Sequence, residues 1–375
     1  MRVLVANIPL PQNRFLVDLN AALSDQVEIV HSSDMFWEMR GDFGVVHLHF
    51  PEYLTYEIER AYIKGLSDSL ILEVETRLRF WSARAAIVIT RHVLLPHDAR
   101  HDPAWEKMYE MVYSYADGVA HFGQASIDEF ETRYATTRFA RGARPQHAVI
   151  PHANYASLPN DISRSEARAK LGIRSDAPVM LVFGAIRSEE ERQLVLDTFS
   201  NIDLPGKVLL VSRWREILVD VSWIRLKYWI RDLVRLYYRV HPRYNFNYSF
   251  VEEHDTQLYL NACDVLFIPR LWVLNSGNVT LGMTFGRVVV GPDSWDVGEL
   301  LTFADNPVFD PDNPATASKA LERGFQLATE GRIPESNRKI ALSHWTPQQC
   351  ASMYVALFAR ARERHFSPST FTQHN

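Results

Sequence analysis

The chain has 375 residues, of which 47% are apolar and 23% charged, a composition typical of an ordinary globular protein long enough for two cores. Its net charge of −5 argues against a general nucleic-acid binder, which is usually basic, so no nucleic-acid partner is expected. Because only two cysteines are present, Cys263 and Cys350, disulfides do not hold the fold together, and a reducing cytoplasm fits the sequence.

In the first half of the chain, short β-branched runs alternate with amphipathic segments. Strands that alternate with helices pair in parallel, and continuously apolar strands are covered on both faces, so we predict a parallel sheet between two layers of helices. The predicted strands are 2–6, 27–30, 45–48, 86–90, 118–122 and 148–150, and the predicted helices include 15–23, 103–116 and 126–134.

The polar stretch 155–164 contains a proline and shows no periodicity, which indicates a linker. After a short predicted helix at 165–171 the α/β pattern restarts. The predicted strands are then 178–183, 208–212, 246–250, 265–269 and 287–291, and the predicted helices are 189–199, 255–262, 276–286, 314–329 and 347–362.

This repeated pattern predicts an α/β protein with two doubly wound, Rossmann-like domains in tandem. We expect a first domain at 1–157 and a second at 158–346, with 347–375 forming a helix and tail that pack back toward the first domain. In such sheets ligands bind beyond the carboxyl ends of the strands, where the strand order reverses, so two facing edges would form a cleft.

The strongest local motif is NSGNVTLGMTFG at 275–286, which follows a predicted strand and opens a helix. Asn275 or Ser276 can cap this helix, and Gly277 lets the backbone approach a ligand closely. Free amides and the positive helix end then form an anion site that suits a nucleotide diphosphate. A capped helix that binds nothing is an equally good interpretation of the motif taken alone.

A second motif, FGAIRSEEER at 183–192, places a glycine and an arginine after a buried strand. Gly184 ends the strand, and the guanidinium of Arg187 in the following loop can fork onto phosphate oxygens. A solvated surface arginine is the better interpretation of a lone Arg187, and the phosphate interpretation gains support only from the capped helix at 275–286.

Histidines are concentrated in the first half of the sequence, where several follow predicted strands. Because an α/β sheet places its chemistry at the carboxyl ends of its strands, these side chains are candidate proton acceptors or hydrogen-bond donors. Nine of the fourteen precede residue 153: His31, His47, His49, His92, His97, His101, His121, His147 and His152.

Two other interpretations of these histidines stand beside the catalytic one. Histidines buried with satisfied hydrogen bonds are common, and this interpretation suits His31, His121 and His147. A zinc site formed by His92 and the next two histidines is poorly supported, because the expected glutamate and any cysteine ligand are missing nearby. We therefore expect neither a metal nor another cofactor.

Together these motifs resemble the GT-B glycosyltransferases, especially the retaining family four and its exopolysaccharide-type relatives with an NSG motif. The resemblance extends over 3–354, and its fragments follow the family's order. They are DFGVVHLHFPE (42–52), TRHVLLPHD (90–98), VIPHANY (149–155), FGAIRSEE (183–190), FVEEHDTQLYLNACDVLFIP (250–269), NSGNVTLGMTFGRVVVGPD (275–293), GEL (298–300) and VFDPDNP (308–314).

The resemblance implies roles for the positions that match the family's motifs. Arg187 matches the arginine that contacts the donor pyrophosphate, 275–278 matches the helix start beneath it, and 251–253 matches the segment beside the base. His92 matches the histidine next to the reacting sugar. From these matches and from the positions at strand ends, the candidate donor-binding residues are Arg187, Arg192, Glu252, Asn275, Ser276, Gly277, Asn278 and Glu299; the candidate catalytic residues are His92, His97 and Asp98; the candidate acceptor-side residues are His49, Glu52, His152 and Asn154.

The chain departs from the family's pattern at two places. Two glutamates eight positions apart are replaced by Val273 and Leu281, so recognition of the ribose must differ. Glu190 and Glu191 stand where a lysine and a glycine are usual, and Arg192 can substitute for the lysine. These gaps agree with the NSG-type relatives and also with an inactive homologue.

The segment 213–243 is basic and aromatic. It holds eight Arg or Lys residues against three Asp or Glu, a balance of +5 in an acidic chain, with six Trp or Tyr residues interleaved. A helix of this kind can lie in an anionic membrane interface. The alternative is an insertion helix whose aromatic side chains pack on the second domain, as most amphipathic helices do.

The sequence thus predicts a hexosyltransferase that moves a sugar from a UDP- or GDP-type donor to a saccharide or lipid-linked acceptor. The start of the sequence lacks a signal-peptide pattern and its apolar runs are too short to span a bilayer, so we expect a cytoplasmic protein with at most peripheral contact at the inner membrane face. The alternatives are a non-catalytic partner in a polysaccharide assembly complex and a nucleotide-sugar epimerase.

Overall fold

The structure is a computed structural model that describes residues 1–96, 102–214, 233 and 235–366. The predicted pair His97 and Asp98 and most of the segment 213–243 therefore lie outside the described residues. The chain divides into two compact units, one formed by Met1–Ala153 with Trp345–Asn375 and the other by Asn154–His344. Each contains a six-stranded sheet with parallel pairing, so the predicted α/β fold class with two doubly wound sheets is confirmed.

The first unit builds its sheet in the order β2-β1-β3-β4-β5-β6, so the strand order reverses between β1 and β3. The strands are β1 (Arg2–Val5), β2 (Glu28–His31), β3 (Val45–Leu48), β4 (Ala86–Thr90), β5 (Gly118–His121) and β6 (Gln146–Val149). The helices are α1 (Arg14–Ser24), α2 (Ser33–Trp37), α3 (Tyr56–Lys64), α4 (Asp68–Ser82), α5 (Pro103–Ser114) and α6 (Gln124–Arg133), with a 3₁₀ turn at Pro51–Tyr53.

Side-chain caps define where most of these helices begin. The side chains of Asn13, Ser32, Thr55, Ser67 and Asp102 each accept a hydrogen bond from a first-turn N–H of α1 to α5. Such bonds satisfy amides that have no partner inside the helix. The caps therefore fix helix starts that the hydrophobic pattern alone leaves open.

The second unit has the strand order β12-β11-β10-β7-β8-β9, which reverses between β7 and β10. Its strands are β7 (Val179–Ala185), β8 (Val208–Arg213), β9 (Tyr244–Phe246), β10 (Val265–Phe267), β11 (Val288–Pro292) and β12 (Val308–Phe309). Its helices are α7 (Arg164–Lys170), α8 (Glu189–Asn201), α9 (Glu253–Ala262), α10 (Gly277–Thr284), α11 (Trp295–Phe303), α12 (Thr316–Glu330) and α13 (Arg332–His344).

The strand predicted at 246–250 was placed too late, because β9 ends at Phe246. The side chain of Asn247 turns the chain there: its Oδ1 accepts a hydrogen bond from the Ser249 N–H at 3.2 Å, and its Nδ2 donates to the Ser212 carbonyl at 3.0 Å. An asparagine that bonds its own backbone two residues on ends extended structure.

The last described helix, α14 (Pro347–Phe366), belongs to the first unit and packs on its sheet beside α1. Its buried face includes Tyr354, Leu357 and Ala361. Gly118 of β5 permits this close approach, because a Cβ atom there would lie 3.1 Å from Leu357 Cδ1. Helices α4 and α5 cover the opposite face of the same sheet.

Among the helices of the described ranges, none has both the length and the apolar character that crossing a bilayer requires.

Candidate functional site

In the second unit, the loops after β7 and β10 meet at the carboxyl edge of the sheet, where the strand order reverses. The buried carboxylate of Glu191 joins them: it accepts a hydrogen bond from the Arg187 backbone N–H at 2.8 Å and pairs with Arg270 Nε at 3.2 Å. Ser188 caps α8 and accepts a bond from the Glu191 N–H. The Arg187 loop is therefore held from both sides, while the Arg187 residue itself is exposed.

The start of α10 lies at the same edge. Ser276 occupies the N-cap position, but its side chain makes no capping hydrogen bond, so the predicted side-chain cap by Ser276 is not formed. The first turn of α10 carries no acidic side chain either. Asn278 Nδ2 donates to the Phe183 carbonyl at 2.8 Å, which ties the helix start to the end of β7. A helix start that has no side-chain cap and no acidic side chain in its first turn favours an anion at this position.

A glycine shapes the end of β7. Gly184 has φ +92°, and its N–H donates to Ser212 Oγ at 2.7 Å. The register between β7 and β8 shifts between Val182 and Ala185. Any other residue would be strained in this left-handed conformation, so the glycine allows the strand to turn into the Arg187 loop.

The other predicted donor-side residues are distributed over three helices. Arg192 is engaged by Glu189, one helical turn earlier, with both carboxylate oxygens 2.9 Å from Nε. Glu252 is exposed at the start of α9, and Glu299 is exposed on α11. Asn275, Ser276, Gly277 and Asn278 are contiguous at the α10 start, so the structure gathers this group with Arg187 at one sheet edge.

In the first unit, the carboxyl ends of β1 and β3 are clamped together by one buried side chain. Asn7 Oδ1 accepts a hydrogen bond from the His49 N–H at 2.7 Å, and Asn7 Nδ2 donates to the Phe50 carbonyl at 2.6 Å. This clamp stands where the strand order reverses. Sequence reasoning missed Asn7, although its position directly after the first strand is a signal that could have found it.

Two predicted site histidines form a hydrogen-bonded pair at this edge. His49 Nδ1 lies 3.1 Å from His92 Nε2. The His92 ring is stacked on Phe50 with ring centroids 4.0 Å apart, and its other neighbours include Phe15 and Phe122. Burial holds the pKa of both histidines well below the usual value, so both rings are neutral at physiological pH.

His152 lies in the same aromatic surroundings, and Asn154 does not. The His152 ring packs on Phe15 at 4.1 Å, and burial lowers its pKa to about 4. Asn154 belongs to the second unit, where its Nδ2 donates to the Ala341 carbonyl and its Oδ1 accepts from the Ala156 N–H. The side chain of Asn154 thus already has structural partners for both its donor and its acceptor.

His121 and His147 are part of a separate relay. Ser126 Oγ lies 2.8 Å from His121 Nδ1, His121 Nε2 lies 2.9 Å from His147 Nδ1, and His147 Nε2 lies 2.9 Å from Glu131 Oε1. Every ring nitrogen in this relay has a partner. Both residues therefore have the properties of satisfied structural histidines.

Glu52 is a buried acid near the end of β3. It sits in the 3₁₀ turn after the strand, and Tyr109 donates its hydroxyl to Glu52 Oε2 at 2.7 Å. Burial raises the pKa of this carboxyl to about 7, although the bond from Tyr109 favours the charged form. Glu52 can therefore exchange a proton near neutral pH. No group of three or more His, Cys, Asp or Glu side chains within the described ranges could hold a metal ion.

At the level of sequence, the chain is similar to a known glycosyltransferase at low identity. None of the known protein-family models matches the sequence. The GDP-mannose:glycolipid 4-beta-D-mannosyltransferase of Xanthomonas campestris pv. campestris is 23% identical over 287 residues, which cover 75% of this chain and 70% of the relative.

Several solved structures share the fold of this chain over nearly its whole length. Sucrose-phosphate synthase from Thermosynechococcus elongatus superimposes with a TM-score of 0.64 at 14% identity, over 96% of this chain and 99% of its own. HepE from Anabaena, solved in complex with UDP-glucose, gives 0.65 at 12% identity, over 96% and 100%. The chain has the GT-B fold, as its sequence predicts.

We expect the stability of the first unit to fall as Glu52 ionises. Its pKa in the folded protein, about 7, lies above the ordinary value of 4.5, so the stabilising contribution of the neutral acid is complete below pH 4.5 and is lost as the pH rises through 7. Glu52→Gln keeps an acceptor for Tyr109 and should remove this loss. The free energy of unfolding, measured with urea at pH 5 and pH 8, should be higher for the variant than for the parent at pH 8 by on the order of 3 kcal/mol, relative to their difference at pH 5.

Glu57→Gln is the matched control for that measurement, because Glu57 is an exposed acid on the neighbouring helix α3. The free energy of unfolding of this control should change with pH as it does in the parent protein. If that of Glu52→Gln also changes with pH as in the parent, Glu52 is already ionised in the folded state.

Proposed function

We propose that the chain is a glycosyltransferase that moves a hexose from a UDP- or GDP-type nucleotide sugar to a saccharide or lipid-linked acceptor. The observation that carries this proposal is the sheet edge of the second unit, where the uncapped start of α10 and the Arg187 loop meet at the reversal of strand order. This is the place where doubly wound sheets bind phosphorylated ligands.

The chemistry of glycosyl transfer suits such an edge. As the glycosidic bond to the nucleotide breaks, negative charge develops on the leaving diphosphate. The amides at the α10 start and the guanidinium of Arg187 are donors that can be aimed at this charge before it appears. With these groups in place, the proposed transfer needs no metal and no other cofactor.

The relatives support the choice of substrates. The Xanthomonas mannosyltransferase is named for a GDP-mannose donor and a glycolipid acceptor, and HepE was solved with UDP-glucose. A role in polysaccharide or glycolipid synthesis follows for this chain by analogy. We assign the donor to the second domain predicted from the sequence, at 158–346, and the acceptor to the first predicted domain, at 1–157, near His49, Glu52 and His152. The proposed catalytic residues are His92, His97 and Asp98.

Ligand-dependent thermal unfolding, followed by a transfer assay, tests the function. A nucleotide sugar that binds the folded chain raises its melting temperature by mass action. Screening UDP-, GDP- and ADP-sugars should find at least one that stabilises the protein and releases free nucleotide when acceptor is added. A non-catalytic assembly partner would bind none, and an epimerase would convert the donor without acceptor.

Arg187→Ala should lower donor turnover by about two to three orders of magnitude, the usual loss when one charge-stabilising donor is removed. The assay is the rate of nucleotide release with saturating acceptor. Arg323→Ala, on the exposed face of α12, is the control and should retain the parental rate. A parental rate in a folded Arg187→Ala protein would remove Arg187 from the donor site.

We further propose that 213–243 attaches the protein peripherally to the inner, anionic face of the membrane, where a lipid-linked acceptor would be presented. Residues 235–240 are helical, and the exposed Leu233, Leu236, Tyr237 and Val240 have the spacing of one helix face. Arg235 and Arg239 are exposed as well. In contrast, Trp214 is buried and stacks on Phe246 with centroids 4.3 Å apart, so part of the aromatic content packs on the domain.

Flotation with liposomes tests the attachment. We expect binding to anionic vesicles at low salt and release at high salt, with roughly 1 kcal/mol contributed by each basic residue near the surface. Arg235→Glu with Arg239→Glu should abolish flotation, whereas Arg323→Glu with Arg332→Glu, elsewhere on the surface, should not. Absence of flotation at low salt, or its survival in the first double variant, would show that this segment does not bind membranes.

A further inference from the structure

The hydrogen bond between His49 and His92 has a direction that the surrounding atoms determine. Both rings are neutral, because burial depresses their pKa values, so one nitrogen of the pair carries the proton and the other accepts it. The two possible directions assign opposite tautomers to both residues. They therefore differ in which group His92 offers to a ligand.

His49 has a second ring nitrogen that distinguishes the two directions. His49 is 1% exposed, and its Nε2 atom has no hydrogen-bond partner among the described residues. If His92 donated to His49, this Nε2 atom would carry a buried N–H without an acceptor. If His49 donates from Nδ1, Nε2 is a bare nitrogen instead. Orphaned buried N–H groups are the rarer of the two in native proteins, so the second direction is favoured.

The neighbouring His47 follows the same rule. Its Nε2 atom lies 2.9 Å from Thr90 Oγ1, and the Thr90 hydroxyl donates to Tyr354 Oη at 3.1 Å. The proton between His47 and Thr90 must therefore come from His47 Nε2. The Nδ1 atom of His47, which lacks a partner within the described part of the chain, is then also a bare nitrogen.

We propose that His49 is a positioning residue that holds His92 in the Nδ1–H tautomer, so that His92 presents an N–H donor, and not a proton acceptor, to a saccharide hydroxyl. The inference rests on the proposed function for the identity of the ligand. His49 acts through His92: it donates from Nδ1 to His92 Nε2, and this leaves the Nδ1–H of His92 for other partners.

The surroundings hold the ring of His92 in one orientation. Phe50 stacks on it, while Phe15 and Phe122 contact it from other directions. Asn7 in turn fixes the backbone of His49 and Phe50 by its two hydrogen bonds. His92 is partly exposed, and its Nδ1 atom has no protein partner among the residues that the structure describes. A hydroxyl oxygen of a sugar is a suitable acceptor for this N–H.

The tautomers can be measured directly in the ligand-free protein. Long-range proton–nitrogen couplings of isotope-labelled histidine distinguish Nδ1–H from Nε2–H rings, and a His92→Asn variant identifies the His92 signals. We expect His92 and His49 to be Nδ1–H tautomers. His121 and His147 are internal references, because the carboxylate of Glu131 fixes both as Nε2–H. An Nε2–H ring at His92 in the parent protein would overturn the proposal.

Two variants of His49 separate positioning from packing. His49→Asn retains an N–H donor at the same distance from the backbone, and His49→Leu fills the space without one. The Asn variant should keep His92 in the Nδ1–H form, and the Leu variant should allow both tautomers while the His121 and His147 signals stay unchanged. If His92 keeps its tautomer in His49→Leu, His49 does not control it.

Activity is the second readout. Loss of one oriented hydrogen bond should lower the transfer rate of His49→Leu about tenfold, and His49→Asn should recover most of it. If Asn and Leu lower the rate equally, the role of His49 is only structural. If the parent protein transfers no sugar, the proposed function fails, and the tautomer of His92 in the ligand-free protein still decides this inference.

Discussion

Parallel pairing brings the carboxyl ends of all strands in a sheet to one edge, and the candidate sites of both units depend on this constraint. At the reversal of strand order, two neighbouring loops turn to opposite faces and leave a space between them. In each unit one buried polar side chain joins the neighbouring loops at the reversal. In the first unit Asn7 joins the ends of β1 and β3, and in the second Glu191 joins the loops after β7 and β10.

Desolvation decides the chemistry that these edges can offer. The same burial that makes a histidine neutral makes a carboxylic acid retain its proton, so His49 and His92 lose their charge at ordinary pH while Glu52 ionises near pH 7. The first unit therefore presents uncharged donors and acceptors. The second unit presents helix amides and an arginine loop. A neutral hydroxyl suits the first set of groups and a diphosphate suits the second.

The sequence was sufficient for most of the strands, although it misplaced β9 and did not predict β12, and it was insufficient for the contacts that support the sites. Continuous apolar runs such as 86–90 identify buried strands because burial on both faces excludes polar residues. Helices α3 and α4 were not predicted, and their starts depend on caps by Thr55 and Ser67. Asn7, Glu191 and Arg270 were missed because their roles depend on which strands are neighbours, and strand order is not visible in local pattern.

The two missing glutamates are consistent with the packing of the second unit. Val273 and Leu281, which stand in their places, are each 5% exposed, so both positions belong to the apolar interior. A carboxylate at such a position needs a fixed polar partner, since an unpaired buried charge is costly. The backbone at Val273 has a different role here, because its carbonyl accepts a hydrogen bond from Ser294 Oγ at 3.2 Å and so joins the loops after β10 and β11.

Charged side chains at this edge are paired within the protein. Glu191, which stands where the resemblance leads us to expect a glycine, forms an ion pair with Arg270 of the loop after β10. Glu191 thereby neutralises one arginine and orders the backbone of the Arg187 loop with its other oxygen. The buried carboxylate at this edge therefore positions a loop, and apolar side chains stand where the resemblance implied ligand-binding glutamates. Recognition of a donor by this chain would consequently rest on N–H groups and guanidinium groups. These groups bind phosphate oxygens and contribute little to recognition of the ribose.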